Sequence, residues 1–176
     1  MKRFLVSVPV MLLAVFIASC GKEKSVEEDV SQYYLKCKIG SVDKTFNFAP
    51  GAMKVADPSG AASYSFYGKA NNDPADNENL GFSIISTIPL TPGTYKETDP
   101  TTDYILGCLY NPNTIEPDKM LASRYDDANP FQVTFTEITT TTISGTFSGK
   151  LYLMNSTDPN ADSAVISNGQ FKLKLQ

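Results

Sequence analysis

Few residue types in this chain can do chemistry, and their spacing narrows the choice further. Cysteines stand at positions 20, 37 and 108, and there is no histidine and no tryptophan. Without histidine, Ser-His-Asp and Cys-His nucleophilic mechanisms are excluded, as are His-ligated zinc and haem sites. Asp158, Asn160 and Asp162 place oxygen side chains at every second position, as the first half of a calcium loop does. Ser163 stands where that loop needs glycine, and Gly169 where it needs a bidentate glutamate, so an EF-hand is rejected. A looser calcium site and a plain polar turn both remain open, and Asp73, Asp76 and Glu78 have the same standing. Arg124-Tyr125-Asp126-Asp127 sets an arginine beside two acids. It reads as a surface ion pair, or as a ligand contact to a carboxylate or sugar hydroxyl. Glu137 with Asp126 or Asp127 could serve a glycosidase only at a fixed separation, which nothing in the sequence sets; solvated surface charge is the expectation, and no enzyme activity is assigned.

Cys20 differs from the other two cysteines by what precedes it. Met1 to Ser19 has a basic start at Lys2 and Arg3, an apolar run from Phe4 to Ile17, and small residues before the cysteine. That is the layout of a secretory signal peptide, and the run is short for a bilayer span, which needs ~20 residues. The ending Ile17-Ala18-Ser19-Cys20 resembles the lipobox of bacterial lipoproteins. The resemblance implies cleavage before Cys20 and acylation of its sulfur and new amino group. Several chains matter, because each buried CH₂ contributes ~0.8 kcal/mol and one chain alone anchors only marginally. Residues 20–31 then read as a charged tether. Gly21 after the cysteine does not favour inner-membrane retention, by analogy with lipoprotein sorting. Glu27-Glu28-Asp29 resembles the surface-export signal of Bacteroidota lipoproteins, and equally reads as a solvated charged linker.

Loss of Lys2 and Arg3 would take the net charge from −4 to −6 and leave Arg124 as the sole arginine. With no basic patch in the sequence, nucleic-acid binding and electrostatic docking on anionic lipid are disfavoured. If Cys20 is acylated, Cys37 and Cys108 remain in a compartment that permits pairing. Both fall in phase with inward-facing neighbours: Leu35 and Ile39 for the first, Leu106 and Tyr110 for the second. A disulfide between them could contribute up to ~4 kcal/mol, and two separate buried thiols are the alternative.

The elements that must position these groups are strands. From Tyr33 onward apolar residues alternate with polar ones at period two. Leu35, Cys37 and Ile39 form one face, and Phe46 and Phe48 are expected to share another after a turn at Gly40-Ser41. Met53–Ala56, Tyr64–Gly68, Leu80–Ser86, Thr94–Lys96 and Tyr104–Tyr110 follow, with a weak segment over Lys119–Tyr125. The clearest unit sets Phe131, Val133 and Phe135 against Gln132, Thr134 and Thr136, turns at Thr139–Thr142, and runs on through Ile143, Gly145, Phe147, Gly149, Leu151 and Leu153. Gly145 and Gly149 predict a bend or close backbone approach. Asn168-Gly169 predicts a hairpin or a bulge before Phe171, Leu173 and Leu175. Nine or ten short strands without a capped helix predict one all-β domain over residues 32–176, an antiparallel β-sandwich or a small β-barrel.

The lipobox, Gly93-Thr94-Tyr95, the tyrosine near position 125, Ile143-Ser144-Gly145-Thr146-Phe147 and Ile166-Ser167-Asn168-Gly169-Gln170-Phe171 occur in that order. Together they resemble small Bacteroidota lipoproteins of an uncharacterised all-β family. The resemblance implies an antiparallel sandwich at the outer membrane and supplies no activity and no catalytic residues. The expected role is a cell-surface binding or accessory module for a glycan, a peptide or a partner outer-membrane protein. A structural adhesin or envelope-assembly subunit is the alternative. Tyr33, Tyr67, Tyr95, Tyr110 and Tyr125 could stack on sugar rings or be half-buried core residues. No cofactor is expected beyond possible calcium.

Overall fold

The computed structural model describes residues 32–58, 60–75, 78–99, 103–112, 117–154, 156 and 162–176. Residues 32–176 form one compact unit. It is all-β, as the period-two pattern predicts. The strands are β1 (Tyr34–Ile39), β2 (Val42–Thr45), β3 (Phe48–Ala56), β4 (Ala62–Lys69), β5 (Asn79–Ser86), β6 (Gly93–Lys96), β7 (Tyr104–Asn111), β8 (Leu121–Ala122), β9 (Gln132–Ile138), β10 (Thr142–Leu153) and β11 (Ser163–Lys174). A 3₁₀ turn, Pro117–Lys119, leads into the weak segment, within which β8 forms. Among the described residues no helix is long and apolar enough to cross a membrane.

The strands make one antiparallel sheet in the order β2-β1-β11-β10-β8-β7-β5-β4-β3, with β9 beside β10 and β6 beside β9. The sheet curls into a half-barrel whose two halves face each other as the layers of a sandwich do. β10 passes from one half to the other. One side of it pairs with β11 over Thr142–Tyr152; the other pairs with β9 over Ile143–Ser148 and with β8 at Tyr152 and Leu153. Gly149 marks the handover. A Cβ there would sit 2.5 Å from Phe131 Cα, so only glycine lets the incoming β9 chain cross so closely. At the far side, β3 meets the end of β11, with Lys54 N–H donating to Gln176 O and Gln176 N–H to Ala52 O.

Phenylalanine fills the space between the halves. Phe66 and Phe82 come from one half; Phe131, Phe135, Phe147 and Phe171 come from the other. Phe66 and Phe82 stack at 4.5 Å between centroids, and Phe171 lies 5.4 Å from Phe82 and 5.7 Å from Phe66. Burying one such side chain stabilises by about 1.5–3 kcal/mol, and each aromatic pair adds about 0.5–1.5 kcal/mol.

Two tripeptides explain each other. Gly145-Thr146-Phe147 on β10 pairs with Gly169-Gln170-Phe171 on β11, so that Gly145 faces Phe171 and Phe147 faces Gly169. Each ring lies over the other strand's glycine. A Cβ on Gly145 would stand 2.9 Å from Phe171 Cζ, and one on Gly169 would stand 2.7 Å from Phe147 Cγ. An aromatic covering a cross-strand glycine is a recurrent way of pinning register.

Some expectations change in detail. Phe46 is fully buried but Phe48 is 40% exposed, because Phe46 lies past the end of β2 whereas Phe48 opens β3, whose next residue, Ala49, stands at φ 48°. β2 is a strand in its own right, and β3 runs five residues earlier than the apolar pattern suggests. Both are short or exposed, so burial imposes little alternation on them.

Candidate functional site

The outward side chains of β6, β9, β10, β11 and β1 line up across the sheet. Thr94, Thr134, Thr146, Gln170 and Lys36 are successive register partners from β6 to β1. The neighbouring row runs Lys96, Gln132 and Ser148. The residues are outward because their alternates, Val133, Phe135, Phe147, Phe171 and Leu173, are buried. Thr94 and Thr134 hydroxyls are 2.8 Å apart, and Gln132 Nε2 donates to Ser148 Oγ at 3.2 Å, which fixes the rotamers of the floor.

A bulge turns this face into a trough. Between Lys36/Lys38 on β1, β11 spends an extra residue, and it does the same between Phe147 and Gly149 on β10. That residue is Asn168, held at φ 53° and exposed. Bulges bend a strand and re-aim a side chain; this one adds a carboxamide to a cleft lined by Gln132, Thr134, Thr146, Ser148, Asn168 and Gln170, with a volume of about 350 Å³. No lining residue carries a charge. Amides and hydroxyls both donate and accept, so the floor suits a ligand rich in hydroxyls.

A second polar group lies inside, at the β1–β2 end. Lys44 Nζ donates to Glu78 at 2.9 Å (Oε1) and 3.1 Å (Oε2), and the buried Tyr110 hydroxyl donates to Glu78 Oε1. Cys37 is close enough to feel both charges. Burial, then the Glu78 carboxylate, pushes its thiol up to about 12, against the pull of Lys44. Cys108 is also raised, by burial first and then by Cys37 and Glu97. Cys37 and Cys108 both stand as buried free thiols in the core, and burial holds them neutral and poorly nucleophilic at pH 7. The other buried acid, Glu97, accepts from Phe131 N–H at 2.8 Å. Neither acid lines the trough.

The remaining sequence candidates disperse. Arg124 donates to Leu153 O at 3.1 Å and stacks over Tyr152 at 5.3 Å, so its guanidinium holds β10's end to the preceding loop. Its acidic neighbour Asp126 instead accepts from Ala128 N–H, Asn129 N–H and the Tyr152 hydroxyl, which together hold its carboxyl below the usual range, the Tyr152 bond foremost. Tyr125 is 61% exposed at φ 53°. The five tyrosines do not gather: Tyr95 and Tyr110 are buried, Tyr33 is half-buried just before β1, and Tyr67 and Tyr125 are exposed, one on β4 and the other in the loop after β8. Tyr67 covers Gly51 of the neighbouring strand. Asp73 accepts from Ala75 N–H in a turn and Glu78 points inward to Lys44, so those two do not converge. Asp162 is exposed; Cys20, Asp158, Asn160 and Asp76 lie outside the described residues. Among the described residues no group of three or more acids or cysteines is placed to hold a metal ion.

The trough residues were individually visible as outward strand positions, and Asn168-Gly169 as a bulge signal. Their convergence was not, because it depends on register. Comparison with family models, curated proteins and solved structures found no match to this chain.

Proposed function

We propose that this chain is a non-enzymatic binding module that takes a glycan in the trough of the β9–β10–β11 face. In this reading acyl chains on Cys20 hold the domain at the outer membrane, facing outward, and residues 20–31 give it reach. The observation that carries the proposal is the uncharged floor of amides and hydroxyls, Gln132, Thr134, Thr146, Ser148, Asn168 and Gln170, set in one concavity. Sugar hydroxyls match such groups in both directions of donation. A peptide would instead favour an exposed strand edge, and a nucleic acid a basic groove with stacking aromatics.

The test is thermal stabilisation of the mature chain across a panel of oligosaccharides. Ligand at a hundredfold over Kd should stabilise by ~2.7 kcal/mol. Thr146→Val with Gln170→Leu should abolish the shift without changing the melting temperature of the free protein by more than a few degrees. If no oligosaccharide shifts the wild type, or if the double variant binds as well, the reading is wrong. The anchor is tested separately: mass spectrometry of the native protein should find a diacyl or triacyl modification at Cys20.

One observation favours a structural role as the second reading. Val55, Ile85 and Ile105 fall in one row across β3, β5 and β7, with Ser63 between the first two, and are 53%, 49% and 62% exposed. An adhesin or assembly subunit would bury such a row against a protein partner. Chemical crosslinking on cells should then capture a partner through this face, and Ile85→Asp should release it.

A further inference from the structure

Lysines surround the trough. Lys36 is the register partner of Gln170, and Lys172 follows Gln170 by two residues on the same face. Lys150 follows Ser148 by two, and Lys96 is the register partner of Gln132. Lys38 and Lys174 lie further out on the same side. The chain as a whole has 15 basic and 19 acidic residues, so an average face would show more acids than bases. Here the outward positions of the same strands offer Glu137, and Asp43 beyond them on β2. Two further acids approach from loops. Asp126 lies near Lys150 but is held by Tyr152 and two backbone N–H groups; Asp99 sits by Lys96 and accepts from Tyr104.

None of these lysines is ion-paired: among the described residues the one salt bridge is Lys44–Glu78, on the inner side. Lys36 and Lys150 ammoniums instead rest over the rings of Tyr34 and Tyr152, at 5.1 and 4.7 Å. Such contacts hold a lysine stem in place and leave its charge available to an anion. Lys172 is the register partner of Tyr34, over whose ring Lys36 rests, so the two lysines are diagonal neighbours about 7–8 Å apart at the backbone and long enough to reach one anionic group between them.

We infer that the ligand of the trough is an acidic glycan, whose hydroxyls meet the uncharged floor and whose uronic-acid carboxylates meet Lys36 and Lys172. This rests on the glycan reading above and deepens it. The charge is at the rim and the hydrogen-bonding surface is at the centre, the arrangement that gives steering and selectivity. A bare polyanion would find no matching charge in the centre. A neutral glycan would leave the rim lysines without a role.

The experiment is isothermal titration of the mature protein with uronic-acid oligomers (galacturonate, glucuronate and mannuronate types) and with neutral oligomers of the same length. At least one uronate oligomer should bind more tightly than every neutral one, with affinity falling as salt rises from 50 to 500 mM. Lys36→Gln with Lys172→Gln should weaken that binding about tenfold and flatten the salt dependence, at an unchanged melting temperature. Neutral oligomers binding as tightly, with the lysine variant unaffected, would overturn the acidic-glycan inference while leaving the trough as a glycan site. No binding by either set would overturn both. Equal binding of dextran sulfate or single-stranded DNA would show unselective attraction of polyanions and would also overturn it.

Discussion

Gly145→Ala should be among the most damaging single-methyl additions in this protein, and Gly107→Ala among the least. At Gly145 the new Cβ would meet Thr134 O at 2.1 Å and Phe171 Cζ at 2.9 Å. Ordinary contact begins near 3.4 Å, so the carbonyl of β9 would have to retreat by more than an ångström. It has nowhere to go, because β9 is paired with β10 on one side and with β6 on the other. Overpacking costs about 1–3 kcal/mol, and each ladder hydrogen bond lost in the adjustment adds about 1 kcal/mol, giving about 3–5 kcal/mol in all. For a domain of this size that is a fall in Tm of roughly 10–20 °C. At Gly107 the nearest atom is Ser123 Oγ at 3.9 Å, and the added methyl should change stability by less than about 1 kcal/mol, with reduced freedom of the unfolded chain favouring stabilisation. Urea unfolding followed by far-UV circular dichroism is the assay, since the chain has no tryptophan to report by fluorescence. Adding Phe171→Leu to Gly145→Ala should not rescue it, because the ring tip yields and the carbonyl does not. If the two glycine variants unfold within 1 kcal/mol of each other, the claim that strand spacing forbids a Cβ at 145 is refuted.

Cys37 has its pKa raised from 9.0 to about 12, so the folded state holds a proton that the unfolded state gives up; that stability is complete below pH 9 and is lost as pH rises to about 12. Unfolding free energy should therefore fall across that window, and Cys37→Ala should make the fall shallower by up to about 1.4 kcal/mol per pH unit; Tyr104, raised from 10.0 to about 12, adds to the loss above pH 10. Tyr152→Phe removes the main cause of the lowered Asp126 pKa, so the carboxyl should titrate higher by NMR, with little change in stability near neutral pH because the group is exposed. Thr139 Oγ1 accepts from Thr142 N–H at 2.9 Å and Thr141 N–H at 3.2 Å in the β9–β10 turn, so Thr139→Ala should cost about 1 kcal/mol in urea unfolding.

The core was legible in the sequence because burial imposes period two. Leu35 and Cys37, Tyr64 and Phe66, and the run from Phe131 to Leu151 all sit inside as their alternation predicts. β2, Phe48 and the start of β3 were not legible, since exposed edges place no demand on alternation. The glycine–phenylalanine exchange between β10 and β11 is half legible: the alternation marks Gly145 as a bend or a close approach, and only the register names Phe171 as its partner. The part-buried Lys44–Glu78 pair was hidden because it joins the short strand β2 to the residue before β5, and the fold alone decides that they meet. The trough was hidden for the same reason. Thr94, Thr134, Thr146 and Gln170 are ordinary outward residues taken singly, and only strand order makes them a row.

Asn168 offers a way to separate what the fold needs from what the trough needs. Ile166 and Phe171 are both buried although they are five residues apart, an odd spacing that a regular strand would place on opposite faces. Asn168 is the residue that absorbs the mismatch, against β1 and against β10 alike. Deleting it would leave Ile166 in, Ser167 out, Gly169 in, Gln170 out and Phe171 in, which is unbroken alternation against both neighbours. It would also remove a non-glycine residue from positive φ, a conformation that costs on the order of 1 kcal/mol. The deletion should therefore fold with a Tm no more than a few degrees from wild type, while losing the carboxamide and the curvature that make the trough. Glycan-dependent stabilisation should disappear with it. If the deletion unfolds the domain, the bulge serves the sheet; if it folds and still binds, the ligand sits elsewhere. A β11 that folded without Asn168 and lost the ligand with it would be a strand shaped by something outside the core.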